Sequence, residues 1–209
     1  MPDARVSNTI TGRDAFLRVL SDEGVSKMFG NPGTTELPIM HALSSAPEMG
    51  YVLGLQEAVV ICMADGYARA SGKLVSCNVH VAPGLGNAIG SIYTSLMSGT
   101  PMIVTAGQQE QGHGLTEPLL YAPLVPIAQP VVKWATEVSR IEDLPRILRR
   151  AAKVATTAPT GPVFISLPGD NLRAMRQVSH THSRYESAAR RRAAQVLAPN
   201  TAMLEGMIQ

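Results

Sequence analysis

Residues 55–90 read LQEAVVICMADGYARASGKLVSCNVHVAPGLGNAIG, and the pattern of this stretch decides the fold class. It predicts a helix that opens at Glu57, a short apolar strand, a glycine-rich corner and the start of a second helix. The positions that share a helix face with Glu57 are Val60, Ile61 and Ala64, all apolar. A carboxyl group above such a stripe needs hydrogen-bond donors or holds its proton more firmly than in water. It could equally be a first-turn glutamate that only favours the helix dipole.

A histidine follows the predicted strand Leu74–Asn78, because the chain continues as Val79, His80, Val81. Ligands of open α/β sheets bind in the crevice outside the carboxyl ends of the strands, so His80 is a candidate site residue. The alternative is a loop histidine that is held by hydrogen bonds and has no contact with a ligand.

The glycines after this histidine do not form a dinucleotide-binding fingerprint. Gly84, Gly86 and Gly90 give the spacing G-x-G-x-x-x-G, which is one residue too long. The acidic residue expected about 20 residues further on is also missing, since the next apolar run, Met102–Ala106, is followed by glycine and glutamine. We therefore do not expect a nicotinamide enzyme.

Composition narrows the class of protein. With 209 residues, of which 45% are hydrophobic, the chain can form one core domain with an extension. No apolar run is long enough to span a membrane and the N-terminus has no apolar signal core, so we expect a cytoplasmic protein.

Cys62 and Cys77 are expected in the core, and no His or Cys cluster has the spacing of a metal site. The net charge of +2 comes with no basic stripe, which argues against nucleic acid as a partner.

Strands alternate with helices along the chain, which predicts an α/β fold, a doubly wound parallel sheet of about six strands with helices on both faces. The predicted strands are Val25–Phe29, Tyr51–Leu53, Leu74–Asn78, Met102–Ala106, Val131–Trp134 and Val163–Leu167. This domain would cover residues 1–170, and an Arg-rich linker or tail with one short helix at Ala188–Leu197 would cover 171–209. The order of the strands in the sheet cannot be derived from these patterns.

Polar residues mark the predicted helix starts, where a side-chain oxygen can accept a free backbone N–H. The candidate caps are Thr11 with Asp14, Thr34 or Thr35, and Ser139 with Glu142. The stretch Gly107–Pro130 shows no clear period. A loop of this length inside a compact domain is often functional.

Five motifs occur in an order and at intervals that match a known family. They are Gly30-Asn31-Pro32-Gly33, Leu55-Gln56-Glu57-Ala58, Ala64-Asp65-Gly66-Tyr67-Ala68-Arg69, Gly84-x-Gly86-Asn87 and Gly161-Pro162-Val163. As a set they resemble the N-terminal pyrimidine-binding domain of thiamine-diphosphate-dependent enzymes, over about Ile10 to Asp170. Within that family, Asn78-Val79-His80 and 105–109 are most similar to benzoylformate decarboxylases.

The resemblance implies roles for particular residues. Glu57 would be catalytic, because the family's cofactor needs a carboxyl group that shares a proton with its pyrimidine ring. His80 would be the acid/base toward the substrate carbonyl, and Thr34 would contact the substrate carboxylate while its methyl group narrows the pocket. The cofactor contacts would be Glu57, Asn31, Pro32, Gly33, Gly84 and Asn87, and the substrate contacts would be Thr34, His80, Leu119 and Leu120.

The resemblance also implies a cofactor and partners. Thiamine diphosphate would bind with Mg²⁺, which the family holds on another domain through a Gly-Asp-Gly motif. Here Gly169-Asp170 is followed by Asn171, so we expect no metal site in this chain. We expect half of a 2-oxo acid decarboxylase or carboligase, inactive alone, that forms a homo-oligomer or pairs with a separate C-terminal subunit. The alternatives are an acetolactate-synthase-like transferase, against which His80 argues, and a non-catalytic dimerising module of the same fold.

Overall fold

In the computed structural model, which describes residues 9–177, a six-stranded parallel sheet lies between two layers of helices. In chain order, the strands are β1 (Thr9–Thr11), β2 (Lys27–Gly30), β3 (Gly50–Leu53), β4 (Val75–Val79), β5 (Met102–Gln108), β6 (Ala135–Glu137), β7 (Pro162–Pro168) and β8 (Met175–Gln177). The α-helices are α1 (Gly12–Asp22), α2 (Leu37–Leu43), α3 (Glu57–Ser71), α4 (Val81–Met97), α5 (Leu124–Ala128), α6 (Leu144–Thr156) and α7 (Gly169–Arg173). Short 3-10 turns lie at Thr34–Glu36, His113–Thr116, Gln129–Val131 and Ile141–Asp143.

The strand order in the large sheet is β3-β2-β4-β5-β7-β6, and all neighbouring pairs are parallel. Every residue of β4, β5 and β7 is buried, as is typical of a parallel sheet covered on both faces. The predicted fold class, a doubly wound parallel sheet of about six strands, is therefore confirmed.

The two faces of the sheet have separate cores. Helices α1, α2 and α6 cover one face, where Phe16 and Leu148 share a cluster with Ile103. Helices α3, α4 and α5 cover the other face, where Ile61 shares a cluster with Val104. The chain passes from β2 outward to β3 and then returns to β4 on the opposite side of β2. This reversal opens a crevice outside the carboxyl ends of β2 and β4, the usual place for a ligand in an open α/β sheet.

Several helix boundaries follow the local signals in the sequence. The Oγ1 atom of Thr11 accepts the backbone N–H of Asp14 at 3.2 Å and caps α1, as predicted. Gly72 ends α3 with a φ of +67°, a left-handed conformation that glycine adopts without a steric penalty. The predicted end of α4 at Met97 is also confirmed.

The other two predicted caps are wrong. Neither Thr34 nor Thr35 caps the helical turn after β2, because the Glu36 carboxylate accepts the N–H of Gly33 at 2.8 Å. The turn before α6 begins after Arg140, one residue beyond the predicted cap Ser139.

The region between β5 and α6 differs most from the prediction. The strand expected at Val131–Trp134 lies instead at Ala135–Glu137. The five-residue helix α5 and the 3-10 turn after it occupy residues 124–131, which were expected to be irregular up to 130. A five-residue helix is too short for a hydrophobic period to identify.

The described chain continues past the expected domain end at Asp170. Helix α7 buries Leu172 in the core, and β8 then pairs with β1 in a separate antiparallel sheet that the sequence did not predict. Residues after Gln177, including the helix expected at Ala188–Leu197, lie outside the described part of the chain. Over residues 9–177, no helix is long and apolar enough to cross a membrane.

Candidate functional site

Most of the predicted site residues come together at the carboxyl ends of β2, β3 and β4, but Leu119 and Leu120 do not. The turn Asn31–Gly33 follows β2, Glu57 opens the helix after β3, and His80 lies between β4 and α4. The turn after β2 links the two predicted catalytic residues, since Asn31 contacts Glu57 and Gly33 lies against the ring of His80. The sheet reversal between β2 and β4 thus gathers Asn31 and His80, which are 49 residues apart in sequence.

The carboxyl group of Glu57 is buried and paired. Its residue is 6% exposed, and its helix is capped by the Gln56 side chain, which accepts the N–H of Val59 at 3.1 Å. The Nδ2 atom of Asn31 donates to Oε1 at 3.0 Å, and the Nδ2 atom of Asn87 donates to Oε2 at 3.0 Å. Each carboxylate oxygen can accept two hydrogen bonds, so each retains an acceptor position for a further partner.

Gly84 lets helix α4 approach this carboxyl group. A Cβ atom at Gly84 would lie 3.1 Å from Oε1 and 3.4 Å from Cδ of Glu57. The N–H of Gly84 donates to the carbonyl oxygen of His80 at 2.8 Å, which closes the first turn of α4. The predicted cofactor residues Gly84 and Asn87 therefore both lie on the α4 side of Glu57.

His80 is half-buried and is bonded through one ring nitrogen. Its Nδ1 atom lies 2.8 Å from Oε2 of Glu36 and 3.3 Å from Oγ1 of Thr35. The ring lies on the backbone of Gly33, where an added Cβ would come within 2.2 Å of Nδ1. Within residues 9–177, Nε2 has no hydrogen-bond partner, so it is the nitrogen that is free to meet a ligand.

Glu36 is a buried residue of this site that the sequence interpretation missed. It is 1% exposed, and its carboxylate accepts the N–H groups of Gly33 and Gly107 at 2.8 Å each and the hydroxyl of Thr35 at 2.7 Å. The sequence signal was present, since a glutamate three residues after a helix N-cap commonly accepts a backbone N–H. Its contact with His80 was not visible in the sequence, because it depends on the placement of β2 beside β4.

A second polar pair lies beside Glu36. The hydroxyl of Tyr51 donates to Oδ1 of Asn78 at 2.8 Å, and a Cβ at Gly30 would collide with both side chains. Burial and, secondarily, the charge of Glu36 raise the pKa of the Tyr51 phenol, so the hydroxyl remains a donor. In the described part of the chain, the buried Nδ2 of Asn78 has no hydrogen-bond partner.

The backbone is strained where β4 turns into α4. Val81 has a φ of +43° and is fully buried. A β-branched residue in the left-handed region is a genuine outlier, and such conformations cost about 1–3 kcal/mol. The strained residue lies directly after His80.

Apart from His80, the predicted substrate residues are exposed. Thr34 lies on the 3-10 turn after Gly33, and its side chain faces solvent. Leu119 is 87% exposed, and Leu120 is 37% exposed with a φ of +78°. His113 is also exposed, on a short 3-10 turn. The structure therefore gives these residues positions but no contacts that test their predicted roles.

No group of three or more His, Cys, Asp or Glu side chains among residues 9–177 could hold a metal ion. Asp170 accepts the N–H of Gln111 at 3.4 Å, and Asn171 donates to the carbonyl of Val138 at 2.7 Å. Both side chains thus fasten neighbouring loops to helix α7.

Comparison with protein families gives one match that covers the site. The model described as thiamine pyrophosphate enzyme, N-terminal TPP binding domain, matches residues 10–119. This span contains Glu36, Glu57 and His80.

Curated relatives are similar over most of this chain. Benzoylformate decarboxylase of Pseudomonas aeruginosa is 38% identical over 163 residues, which cover 77% of this chain and 30% of the relative. The acetolactate synthase isozyme 3 large subunit of Escherichia coli is 36% identical over 163 residues, which cover 78% of this chain and 28% of the relative. The chain thus spans less than a third of the length of these relatives.

Solved structures agree with the sequence matches. The thiamine diphosphate-dependent 4-hydroxybenzoylformate decarboxylase of Rhodococcus jostii RHA1 superimposes with a TM-score of 0.76 at 34% identity, covering 86% of this chain and 33% of that one. Benzoylformate decarboxylase of Polynucleobacter necessarius gives a TM-score of 0.76 at 39% identity, covering 83% of this chain and 33% of that one.

Proposed function

The chain belongs to the family of thiamine pyrophosphate enzymes, and we propose that it forms the pyrimidine-binding half of a decarboxylase or carboligase that acts on 2-oxo acids. Thiamine pyrophosphate and thiamine diphosphate are the same cofactor. The observation that carries the proposal is the buried Glu57 carboxyl group, which Asn31 and Asn87 hold from two sides while an acceptor position remains on each oxygen.

The residues around Glu57 fit a flat aminopyrimidine ring. The carboxyl group can share a proton with a ring nitrogen through the acceptor position that the two amides leave free. Glycine at positions 33 and 84 leaves room for the ring of His80 and for the carboxyl group of Glu57, so both groups can lie directly against the backbone. The bound cofactor would supply the carbon nucleophile, while Glu57 would hold and return the proton.

His80 would serve as the acid/base for the substrate. Its free Nε2 can give a proton to a carbonyl oxygen or remove one, while Nδ1 stays bonded to Glu36. Thr34 would contact the substrate carboxylate, and the exposed Leu119 and Leu120 would give the pocket apolar walls once a partner covers them. The preference among 2-oxo acids would follow from this wall and from the methyl group of Thr34.

The diphosphate and Mg²⁺ would be bound outside the described residues, on a second copy or on a separate C-terminal subunit. Helix α4 (VAPGLGNAIGSIYTSLM) contains no charged residue, and the exposed apolar side chains of α3 and α4 include Val59, Tyr93 and Met97. Such an uncharged face beside Glu57 suits burial against a partner that completes the site. We propose a cytoplasmic location and no contact with nucleic acid or membrane.

A chimera tests the proposal. Residues 10–170 would replace the matching segment of the Pseudomonas aeruginosa benzoylformate decarboxylase, and carbon dioxide release would be measured with benzoylformate and with pyruvate. We expect turnover of at least one 2-oxo acid when thiamine diphosphate and Mg²⁺ are present, and no turnover by the 209-residue chain alone.

The same chimera separates the alternatives once the organic product formed from pyruvate is identified, because a decarboxylase and an acetolactate-forming transferase both release carbon dioxide. The similarity to acetolactate synthase large subunits favours a transferase as second candidate, which would form acetolactate from pyruvate. A chimera that folds and associates but neither binds the cofactor nor releases carbon dioxide would indicate a non-catalytic dimerising module and refute the proposal.

A further inference from the structure

The carboxylate of Glu36 has four hydrogen-bond partners. Oε1 accepts the N–H of Gly107 at 2.8 Å and the hydroxyl of Thr35 at 2.7 Å. Oε2 accepts the N–H of Gly33 at 2.8 Å and lies 2.8 Å from Nδ1 of His80. A carboxylate has about four acceptor positions. Both backbone N–H groups can only donate, so Glu36 acts here as an acceptor on both oxygens.

This arrangement decides which nitrogen of His80 carries the proton. A neutral imidazole has one N–H donor and one acceptor nitrogen. Nδ1 faces an acceptor, Oε2 of Glu36, so Nδ1 must be the donor. The nearby hydroxyl of Thr35 does not change this, because its hydrogen is directed to Glu36 at 2.7 Å and its oxygen lies 3.3 Å from Nδ1.

We infer that Glu36 is a positioning residue that holds neutral His80 in the Nδ1–H tautomer and keeps Nε2 as the nitrogen that exchanges protons with the substrate. The assignment of the tautomer stands on the geometry alone, whereas its use toward a substrate rests on the proposed function. In this arrangement Glu36 acts through His80 and does not itself need to touch the reacting atoms.

Contacts with two segments of backbone hold the carboxylate of Glu36 in place. The carboxylate is bonded to backbone groups at the ends of β2 and β5, which are separated by β4 in the sheet. A Cβ at Gly107 would lie 2.2 Å from Oε1, so the carboxylate packs directly on that backbone. The ring of His80 is confined in turn by the backbone of Gly33.

Nitrogen-15 NMR of the full 209-residue chain tests the inference. The chain contains five histidines, and the imidazole signals of His80 would be identified by their loss in His80→Gln. Spectra would be recorded at rising pH until the ring signals stop moving, so that the neutral form is observed. We expect His80 to show a protonated Nδ1 and an unprotonated Nε2. A wild-type spectrum with the proton on Nε2 would overturn the inference without any variant.

Two variants test whether the carboxylate of Glu36, and not the nearby hydroxyl of Thr35, determines the tautomer of His80. In Glu36→Gln, the amide can place its NH₂ group toward Nδ1 of His80, which must then accept a hydrogen bond, so we expect the Nδ1–H fraction of His80 to fall. In Thr35→Val, which removes the hydroxyl near Nδ1 but keeps the carboxylate, we expect the wild-type tautomer. An unchanged tautomer in a folded Glu36→Gln, or a changed one in Thr35→Val, would contradict the role of Glu36.

The tautomer of His80 can be measured whether or not the proposed function is correct. Glu57→Gln should leave the tautomer of His80 unchanged, because Glu57 is bonded to Asn31 and Asn87 and not to His80. A failed chimera with the expected tautomer would refute the proposed function alone. A wrong tautomer in an active chimera would refute this inference alone.

Discussion

The site contains two buried glutamates, and they differ in how many donors reach them. Glu57 receives one amide N–H on each oxygen, whereas Glu36 receives two partners on each oxygen. Both residues are almost fully buried, at 6% and 1% exposure. Burial therefore does not distinguish them, and the remaining acceptor capacity does. A carboxyl group with a free position can exchange a proton with a ligand, while a saturated one holds its neighbour in place.

The largest effect should come from filling the space beside Glu36. Gly107→Ala would place a Cβ 2.2 Å from Oε1 of Glu36 and 2.3 Å from Oγ1 of Thr35, and both side chains are buried and hydrogen-bonded to each other. We expect a loss of about 3 kcal/mol or more in the free energy of unfolding, measured in urea. Gly66→Ala is the control, because no atom lies within 4 Å of its added Cβ and alanine favours the helix by about 1 kcal/mol.

The next largest change in the free energy of unfolding is expected when the carboxyl group of Glu36, compared with that of Glu57, is replaced by an amide. In Glu36→Gln, an amide NH₂ must face a backbone N–H that cannot turn away, so we expect a loss of about 2–3 kcal/mol. In Glu57→Gln, the partners are the side-chain amides of Asn31 and Asn87, which can rotate to present oxygen, so we expect a change within about 1 kcal/mol. Equal losses in urea unfolding would show that acceptor capacity does not separate the two sites.

A smaller loss of stability is expected when the hydrogen bond between Tyr51 and Asn78 is removed. Tyr51→Phe would remove the donor to Oδ1 of Asn78 and leave a buried acceptor unsatisfied, which should cost about 1–2 kcal/mol. The exposed Tyr93 provides a matched control, since Tyr93→Phe should change the free energy of unfolding by less than about 0.5 kcal/mol.

Tyr51 should also make the free energy of unfolding depend on pH in the alkaline range. Folding raises the pKa of Tyr51 above its ordinary value of 10.0, mainly through burial, so the folded state binds its proton more tightly. The stabilisation is complete below pH 10.0 and is lost as the pH rises through the folded-state pKa. Tyr51→Phe should flatten this alkaline loss but not abolish it, because burial also raises the pKa of Cys77. An unchanged alkaline slope in Tyr51→Phe would contradict the assignment.

The smallest change in stability is expected at Gly84, which lies beside Glu57. Gly84→Ala gains helix propensity of about 1 kcal/mol but brings a Cβ to 3.1 Å from Oε1. Gly86→Ala gains the same propensity with no atom within 4 Å of its Cβ. We expect Gly86→Ala to be the more stable of the two by less than about 1 kcal/mol in thermal unfolding. Equal stability would mean that Gly84 does not crowd the carboxyl group.

The same comparison explains which parts of the site could be predicted. Glu57 was a candidate because its helix face is apolar, and the resemblance carried by the local motif Leu55-Gln56-Glu57-Ala58 decided for a functional role. Glu36 was missed because two of its partners, Gly107 and His80, are 71 and 44 residues away and meet it only through the strand order. The fold class could be predicted from the alternation of helices and apolar strands, whereas the order of the strands depends on packing between distant segments.

The measurement that tests the central claim most directly is exchange of the reactive carbon-bound proton of thiamine diphosphate in the chimera. Deuterium incorporation would be followed by proton NMR after acid quench, with Glu57→Gln compared with Glu48→Gln, an exposed glutamate outside the site. We predict that Glu57→Gln slows exchange by about 10²-fold or more while the cofactor still binds, and that Glu48→Gln exchanges normally. Exchange at the normal rate in Glu57→Gln would contradict the assignment of Glu57 as the proton-sharing group.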